Sequence, residues 1–63
     1  MDIQEIRYGE QYLWKHIYTD YAFEYISARV IKIYSNFVRI EILKKDGSYK
    51  QLLVKPENLE RKP

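Results

Sequence analysis

The segment from Phe37 to Leu43 has the most regular alternation of apolar and charged positions in this chain. Its apolar positions share one face of an extended strand and its charged positions share the other: Val38, Ile40 and Ile42 against Arg39 and Glu41. A period of two residues is typical of a strand with one buried face, whereas a helix would scatter the apolar residues around its axis. The pattern predicts a half-buried strand.

The Asp46-Gly47 pair that follows predicts a hairpin. A three-residue loop, with Gly47 in the left-handed conformation and a bulge, sets Ile40 opposite Leu52. A two-residue turn would set Ile40 opposite Leu53 and place Gln51 on the core face. Since a one-residue slip exchanges the two faces of a strand, the choice decides which leucine is buried. We favour the three-residue loop because it keeps the core face apolar.

A second predicted strand precedes this hairpin, at Ala28–Tyr34, and Ser35-Asn36 can turn the chain between the two. Regular pairing through that turn would leave Ala28 and Val30 facing solvent. A bulge near Ile31-Lys32 would instead bring Ala28, Val30 and Ile33 inside. Bulges bend strands and are frequent at the rims of small barrels, so we favour the bulge.

Pro56 predicts the end of the fourth strand at Lys55, because proline cannot donate to a strand ladder. The residues Lys55–Asn58 can form a single helical turn, since proline is tolerated at a first helical position. Leu59 would then point back toward the core. A short last strand completes the predicted chain path.

The N-terminal part of the chain has a less regular pattern of apolar and polar residues. Gly9-Glu10 predicts a turn that leads into a strand at Gln11–Lys15, and a long loop is predicted from His16 to Phe23. A helix from Tyr12 to Ile26 is the alternative. The aromatic content and the lack of an apolar stripe at helical spacing stand against that helix.

Length and composition narrow the classes of protein. The chain has 63 residues, no cysteine and one histidine, His16, so we expect no disulfide, no metal site and no cofactor. It has ten aromatic residues, seven of them tyrosine. No apolar run reaches the roughly 20 residues of a membrane-spanning helix. The acidic, polar start at Met1–Glu5 predicts no signal peptide, and we expect a cytoplasmic protein.

Charge is distributed unevenly. Residues 1–27 hold five acids and two bases, a net charge of −3, and residues 28–63 hold nine bases and four acids, a net charge of +5. Such asymmetry can mark a surface for an anionic partner, although a solvated surface of mixed charge is the commoner explanation.

The order of predicted elements resembles that of the SH3-like and Tudor-like small barrels. The residues that carry it are Gly9-x-x-Tyr12-x-Trp14, Ala28-x-Val30-x-x-Ile33, Val38-x-Ile40-x-Ile42, Gly47 and Val54-x-Pro56-x-x-Leu59. The resemblance implies an all-β fold, a single five-stranded SH3-like barrel with a short helical turn before the last strand. It covers about residues 6–61 of a single domain of residues 1–63, with frayed termini.

The resemblance also implies where a partner would bind. Peptide ligands of such domains lie between the long first loop, the following short loop and the helical turn. On this chain those positions are Tyr18, Tyr21, Tyr34, Phe37 and Asn58. Proline-binding SH3 domains carry a tryptophan at the start of the third strand, where this chain has Phe37. The resemblance therefore does not extend to the recognition of proline motifs.

The residues favour a non-catalytic binding module over an enzyme. A nucleophile and its base could be formed by His16 with Thr19 or Ser27 and Asp20. A barrel this small, however, has little concave volume from which to exclude water. The excess of aromatic residues favours a protein–protein adaptor or an assembly subunit of a larger complex. A homodimer that covers its aromatic face is a further alternative.

The alternative function is single-stranded nucleic-acid binding. Small barrels bind single strands by combining a basic groove with stacked aromatic side chains. The candidate residues lie on or near the central hairpins: Lys32, Arg39, Lys44, Lys45 and Lys50. Glu41 interrupts this set, and the net charge of +2 is low for a dedicated nucleic-acid binder.

Overall fold

Five strands form one antiparallel sheet in the computed structural model, which describes all of residues 1–63. The strands are β1 (Gln11–Thr19), β2 (Ala22–Ile33), β3 (Val38–Leu43), β4 (Tyr49–Val54) and β5 (Leu59–Arg61). Two 3₁₀ turns, Ile3–Glu5 and Pro56–Asn58, complete the elements. The order across the sheet is β4-β3-β2-β1-β5, so the chain meanders and then returns to pair β5 with β1. The predicted all-β class, the five strands and the helical turn before the last strand are confirmed.

The core is small and apolar. It contains eight buried residues: Ile6, Tyr12, Ala28, Val30, Val38, Ile40, Val54 and Leu59. Partly buried side chains pack against its margin, among them Trp14, Ile42 and Leu52. No polar side chain is buried. Stability therefore depends on a few aliphatic contacts between the middle strands and β5, and a large share of the aromatic surface lies outside the core.

The bulge predicted in β2 is confirmed. Pairing with β3 runs Ala28↔Ile42 and Val30↔Ile40, then shifts register before Ile33↔Val38. The extra residue turns Ala28 and Val30 inward, where both are buried. The prediction that the bulge also brings Ile33 inside is wrong, because Ile33 lies at the end of the sheet and is 37% exposed.

The predicted register of the Asp46-Gly47 hairpin is also confirmed. Ile40 pairs with Leu52, and Val38 pairs with Val54. Lys44 N–H donates to Ser48 C=O at 2.7 Å, which closes a three-residue loop in which Gly47 has a φ of +88°. Leu52 consequently packs against the core, whereas Leu53 is 55% exposed.

Pro56 ends the extended chain as predicted. β4 ends at Val54, one residue before the predicted end at Lys55, and the 3₁₀ turn Pro56–Asn58 follows. The turn directs Leu59 into the core, where it is completely buried. The N-terminal ammonium donates to the carbonyls of Pro56 and Leu59 at 3.2 and 3.1 Å, so Met1 lies against this turn.

The predicted long loop at His16–Phe23 is wrong, and so is the alternative helix from Tyr12 to Ile26. β1 continues to Thr19, and β2 begins at Ala22. The two strands form one long hairpin in which Ile17 pairs with Phe23. Backbone hydrogen bonds between the two strands stabilise this segment, because neither neighbouring strand extends along it.

Candidate functional site

The outer half of the β1–β2 hairpin extends beyond the rest of the sheet. β5 pairs with β1 only at Tyr12–Trp14, and β3 pairs with β2 only from Ala28 onward. Residues 15–27 are therefore paired only with one another, and we call this two-stranded segment the arm. A two-stranded ribbon is marginally stable by itself in water, so the arm depends on its connection to the sheet.

The turn of the arm contains neither glycine nor proline. Thr19 pairs with Ala22, and the register shifts at Tyr18, which has no partner on β2. Tyr21 N–H donates to Thr19 Oγ1 at 3.2 Å, so the threonine hydroxyl helps to close the turn. The Tyr21 side chain is 97% exposed at the tip.

Three rings stack along one face of β1, and we call them the aromatic column: Trp14, His16 and Tyr18. The Trp14 and His16 rings are 4.7 Å apart and nearly parallel, at 12°. The His16 and Tyr18 rings are 4.4 Å apart and tilted by 45°. Trp14 follows the buried Tyr12 on the same face, so the column continues the core-facing side of β1 into the arm. Its exposure increases toward the tip, where Tyr18 is 55% exposed.

The opposite face of the arm is also apolar. Ile17 and Phe23, which pair across the ribbon, are 53% and 52% exposed. Phe23 and Tyr25 meet edge to face at 5.6 Å, and Lys15 Nζ lies 4.4 Å from the centre of the Phe23 ring. Both faces of the arm thus expose apolar side chains, which is uncommon for a solvated ribbon.

Two carboxylates orient tyrosines of the arm. The Tyr18 hydroxyl donates to Glu24 Oε1, and this hydrogen bond to the carboxylate raises the pKa of Tyr18. The Tyr25 hydroxyl donates to Glu60 Oε1 at 3.3 Å. Desolvation, followed by the charge of Glu60, raises the pKa of Tyr25. Both phenols therefore stay neutral well into the alkaline range and can act as hydrogen-bond donors and acceptors.

A shallow groove of about 310 Å³ lies at the base of the arm. It is lined by residues of β1, of β4 and of the 3₁₀ turn, including His16, Ile17, Leu53 and Asn58. The aromatic column borders the groove, so Asn58 and Tyr18 lie on one continuous surface. Asn58 is the only predicted partner-binding residue that lines this groove.

The remaining predicted partner-binding residues lie elsewhere. Tyr34 N–H donates to Phe37 C=O at 2.8 Å across the Ser35-Asn36 turn. Phe37 lines a separate groove of about 340 Å³ between the N-terminus and the Pro56 turn. The Tyr34 hydroxyl accepts a hydrogen bond from Arg39 Nε at 3.2 Å. Tyr21 stands alone at the tip of the arm.

The structure divides the basic residues into two groups. Lys32 and Arg39 lie directly opposite each other across β2 and β3, with Tyr34 beside both. Lys44 and Lys45 lie at the far end of β3, roughly 17 Å along the strand from Arg39. Lys50 pairs with Ile42 and so projects to the other face of the sheet. The five positions do not form one continuous groove.

The polar side chains near His16 are engaged elsewhere. Thr19 Oγ1 accepts from Tyr21, and the Ser27 hydroxyl accepts from Lys62 Nζ at 3.0 Å. His16 itself is stacked between Trp14 and Tyr18. No three histidine or carboxylate side chains are grouped so as to hold a metal ion.

Reasoning from the sequence did not select Ile17, Phe23 and Tyr25 as site residues, and it placed the first two in a loop. The available signal was the β-favouring composition of Gln11–Thr19 and Ala22–Ile26. That composition indicates strands without indicating which side chains are exposed.

The structure contains no helix with the length and apolar character needed to cross a membrane. The strand order and the turn before β5 are consistent with a small barrel-like fold. Comparisons with protein-family models, with curated proteins and with solved structures find no match to this chain.

Proposed function

We propose that this chain is a non-catalytic, cytoplasmic protein-binding module with an SH3-like fold, which acts as an adaptor or as an assembly subunit of a larger complex. The observation that carries the proposal is the arm, a two-stranded ribbon with exposed apolar side chains on both faces. Ordinary surface strands alternate apolar and polar faces, and the arm does not. A partner that covers one or both faces removes this apolar surface from water.

The surface best suited to the partner is the aromatic column together with the groove at Asn58. Tyrosine and tryptophan are enriched at protein interfaces because each offers a large, rigid apolar ring and a polar group. The groove adds Leu53, which is 55% exposed, and the amide of Asn58. Lys15 and Lys55 line its margin, so the site favours a peptide segment with apolar and acidic side chains.

Affinity capture with the purified chain tests this proposal. The capture is made from native lysate in two portions, one treated with nuclease, and repeated with Tyr18→Ala and Tyr21→Ala. We expect a protein that survives nuclease treatment and that both variants capture several-fold less. Tyr49→Ala is the matched control, because Tyr49 is 66% exposed on β4, an edge strand that pairs with neither strand of the arm.

Thermal unfolding of the same variants separates binding from folding. Tyr18 and Tyr21 contribute little buried surface, so the variants should unfold within about 0.5 kcal/mol of the unchanged chain. If either variant is unfolded, its ring belongs to the folded core and the site is wrong. Equal capture by the arm variants and the unchanged chain also contradicts the proposal.

Single-stranded nucleic-acid binding is the second candidate function, and one observation favours it. Lys32 and Arg39 oppose each other directly, and like charges at such positions are unfavourable. The only ion pairs of the chain, Lys55–Glu57 and Arg61–Glu5, involve neither residue. A phosphate group could compensate both charges at once.

Titration with short single-stranded oligonucleotides at low and high salt tests this second function. We expect any binding through Lys32 and Arg39 to weaken steeply as salt increases. Lys32→Ala should reduce it, whereas Lys50→Ala should not, because Lys50 projects to the other face. Captured material that disappears after nuclease treatment would favour this function over the first.

A further inference from the structure

The arm has an open backbone edge along β2. Val30 N–H donates to Glu10 C=O, and Val30 C=O accepts from Gly9 N–H, so both polar groups of Val30 point toward β1. Backbone groups alternate in direction along a strand, so Phe23 and Tyr25 direct their N–H and C=O groups away from β1. β3 covers that edge only from Ala28 onward. The backbone groups of Phe23 and Tyr25 therefore have no partner strand.

This edge lacks the features that usually prevent strand addition. Residues 22–27 contain no proline, lysine or glycine, and their one charged side chain, Glu24, is held by Tyr18 on the opposite face from Phe23. The edge strand β4, in contrast, carries Lys50 and is followed by Pro56, and β5 has only three residues. Natural proteins protect free edges with charge, proline or short length, and of these the β2 edge has only Glu24, whose carboxylate is held by Tyr18.

From this edge we propose that the chain forms a twofold-symmetric homodimer in which the β2 edges of two arms pair antiparallel. The dimer and the protein-binding function proposed above share Tyr21 at the tip of the arm. Tyr18 and the aromatic column lie outside the paired edge, so Tyr18→Ala tests the protein-binding function alone. Pairing would join the two ribbons into one four-stranded sheet and satisfy the outward backbone groups of Phe23.

The register follows from three constraints. Residues whose backbone points outward must pair with each other, so the twofold axis passes at Phe23, Glu24 or Tyr25. An axis at Glu24 opposes two carboxylates, which is unfavourable. An axis at Tyr25 sets Ala22 against Ala28 of the second copy. The space beside that Ala28 is already occupied by Ile42 on β3 of the same copy. The axis therefore passes at Phe23, and the two Phe23 side chains face each other.

Charge complementarity supports this register. With the axis at Phe23, the tip of one arm enters the groove of about 510 Å³ between Ile26 and the Lys44-Lys45 segment of the second copy. Asp20 of the tip then approaches Lys44 of that copy. Two acids also line the groove, and both already accept hydrogen bonds: Glu24 from the Tyr18 hydroxyl, and Asp46 twice from Ser48. Tyr21, exposed at the tip, comes beside Tyr25 of the second copy.

The total surface area is consistent with a covered arm. A folded chain of 7.7 kDa is expected to expose roughly 4,300 Å². This chain exposes 4878 Å². The surplus of roughly 550 Å² is about two-thirds of the roughly 800 Å² that each partner buries in a standard interface. We expect a weak dimer, with dissociation in the micromolar range.

Sedimentation of the purified full chain across the micromolar range tests the dimer. We expect the mass to rise from monomer to dimer with concentration. Phe23→Pro should remain monomeric, because proline removes the outward N–H without breaking a bond to β1. Ile17→Pro is the matched control: Ile17 pairs with Phe23, and its N–H points to the opposite edge, so this variant should still dimerise.

Hydrogen exchange makes the test independent of how well the proline variants fold. In the unchanged chain, the Phe23 amide should become protected as concentration rises, and the Ile17 amide should stay unprotected. Lys44→Glu should weaken the dimer several-fold, and adding Asp20→Lys to that variant should restore it. A chain that stays monomeric throughout overturns the proposal. The partner of the β2 edge would then be a strand of another protein. A dimer that survives Phe23→Pro but not Ile17→Pro also overturns it.

Discussion

Val30 and Ile40 lie directly opposite each other across β2 and β3, and both side chains are completely buried. The pair lies immediately before the bulge in β2, and the bulge turns the Val30 side chain toward the core rather than toward solvent. The pair thus forms the centre of a core of eight residues, and each side chain accounts for a large share of it.

We predict that Ile40→Val destabilises the chain by about 1 kcal/mol and Ile40→Ala by about 3 kcal/mol. For a chain of 63 residues the total stability is about 3–9 kcal/mol, so the alanine variant should be close to unfolding at 37 °C. Urea unfolding followed by circular dichroism measures both values. Ile17→Val, at a position 53% exposed, is the control and should change stability by less than about 0.5 kcal/mol.

The register of the β3–β4 hairpin predicts unequal effects at two adjacent leucines. Leu52 packs against the core and Leu53 is 55% exposed, so Leu52→Ala should cost about 1–2 kcal/mol and Leu53→Ala less than about 0.5 kcal/mol. The same unfolding measurement compares them. Equal costs, or a larger cost at Leu53, would mean that the hairpin pairs in the other register.

Gly47 is required for its backbone conformation rather than for space. Its φ is +88°, and a Cβ at this position would meet no atom within 4 Å. We expect Gly47→Ala to destabilise the chain by about 1 kcal/mol and Gly47→Asn by less, because asparagine tolerates the left-handed conformation. Lys45→Ala in the same loop should have little effect. No difference between the alanine and asparagine variants would contradict a backbone origin.

Asp46 should contribute stability that depends on pH. Hydrogen bonds from the Ser48 hydroxyl and the Ser48 N–H lower the pKa of Asp46 in the folded chain. A carboxyl whose folded pKa is lowered stabilises the fold above its unfolded pKa, near pH 4, and loses that effect as pH falls through the folded pKa.

The free energies of unfolding of the unchanged chain and of Asp46→Ala should therefore differ at pH 7 and converge near pH 2. Urea unfolding at the two pH values measures this convergence. Ser48→Ala, which removes the hydroxyl and retains the N–H, should show a smaller difference of the same sign. A difference that persists undiminished at pH 2 would exclude the carboxylate as its cause.

The candidate site was predictable only in part. Tyr18, Tyr21 and Asn58 were selected through the resemblance to small barrels, but Tyr18 was placed in a loop rather than in a strand. Ile17 and Tyr18 are adjacent and both about half exposed. The apolar and polar residues of the arm therefore do not alternate with a period of two that would separate a buried face from a solvent-exposed face. Its turn lacks glycine and proline, so no turn signal marked where β1 ends.

Elements whose local chemistry and core burial agree follow from the pattern of residues. The Asp46-Gly47 hairpin, the β2 bulge and the Pro56 turn each had one arrangement that kept apolar residues inside and satisfied the backbone, and that arrangement is the one observed. The arm at residues 15–27, in contrast, is evident only in the folded chain. There the side chains of both faces remain exposed, so burial does not constrain the pattern. Pairing of β1 with β2 begins at the buried Tyr12–Ala28 pair and extends outward through backbone hydrogen bonds, which any sequence of β-favouring residues can form.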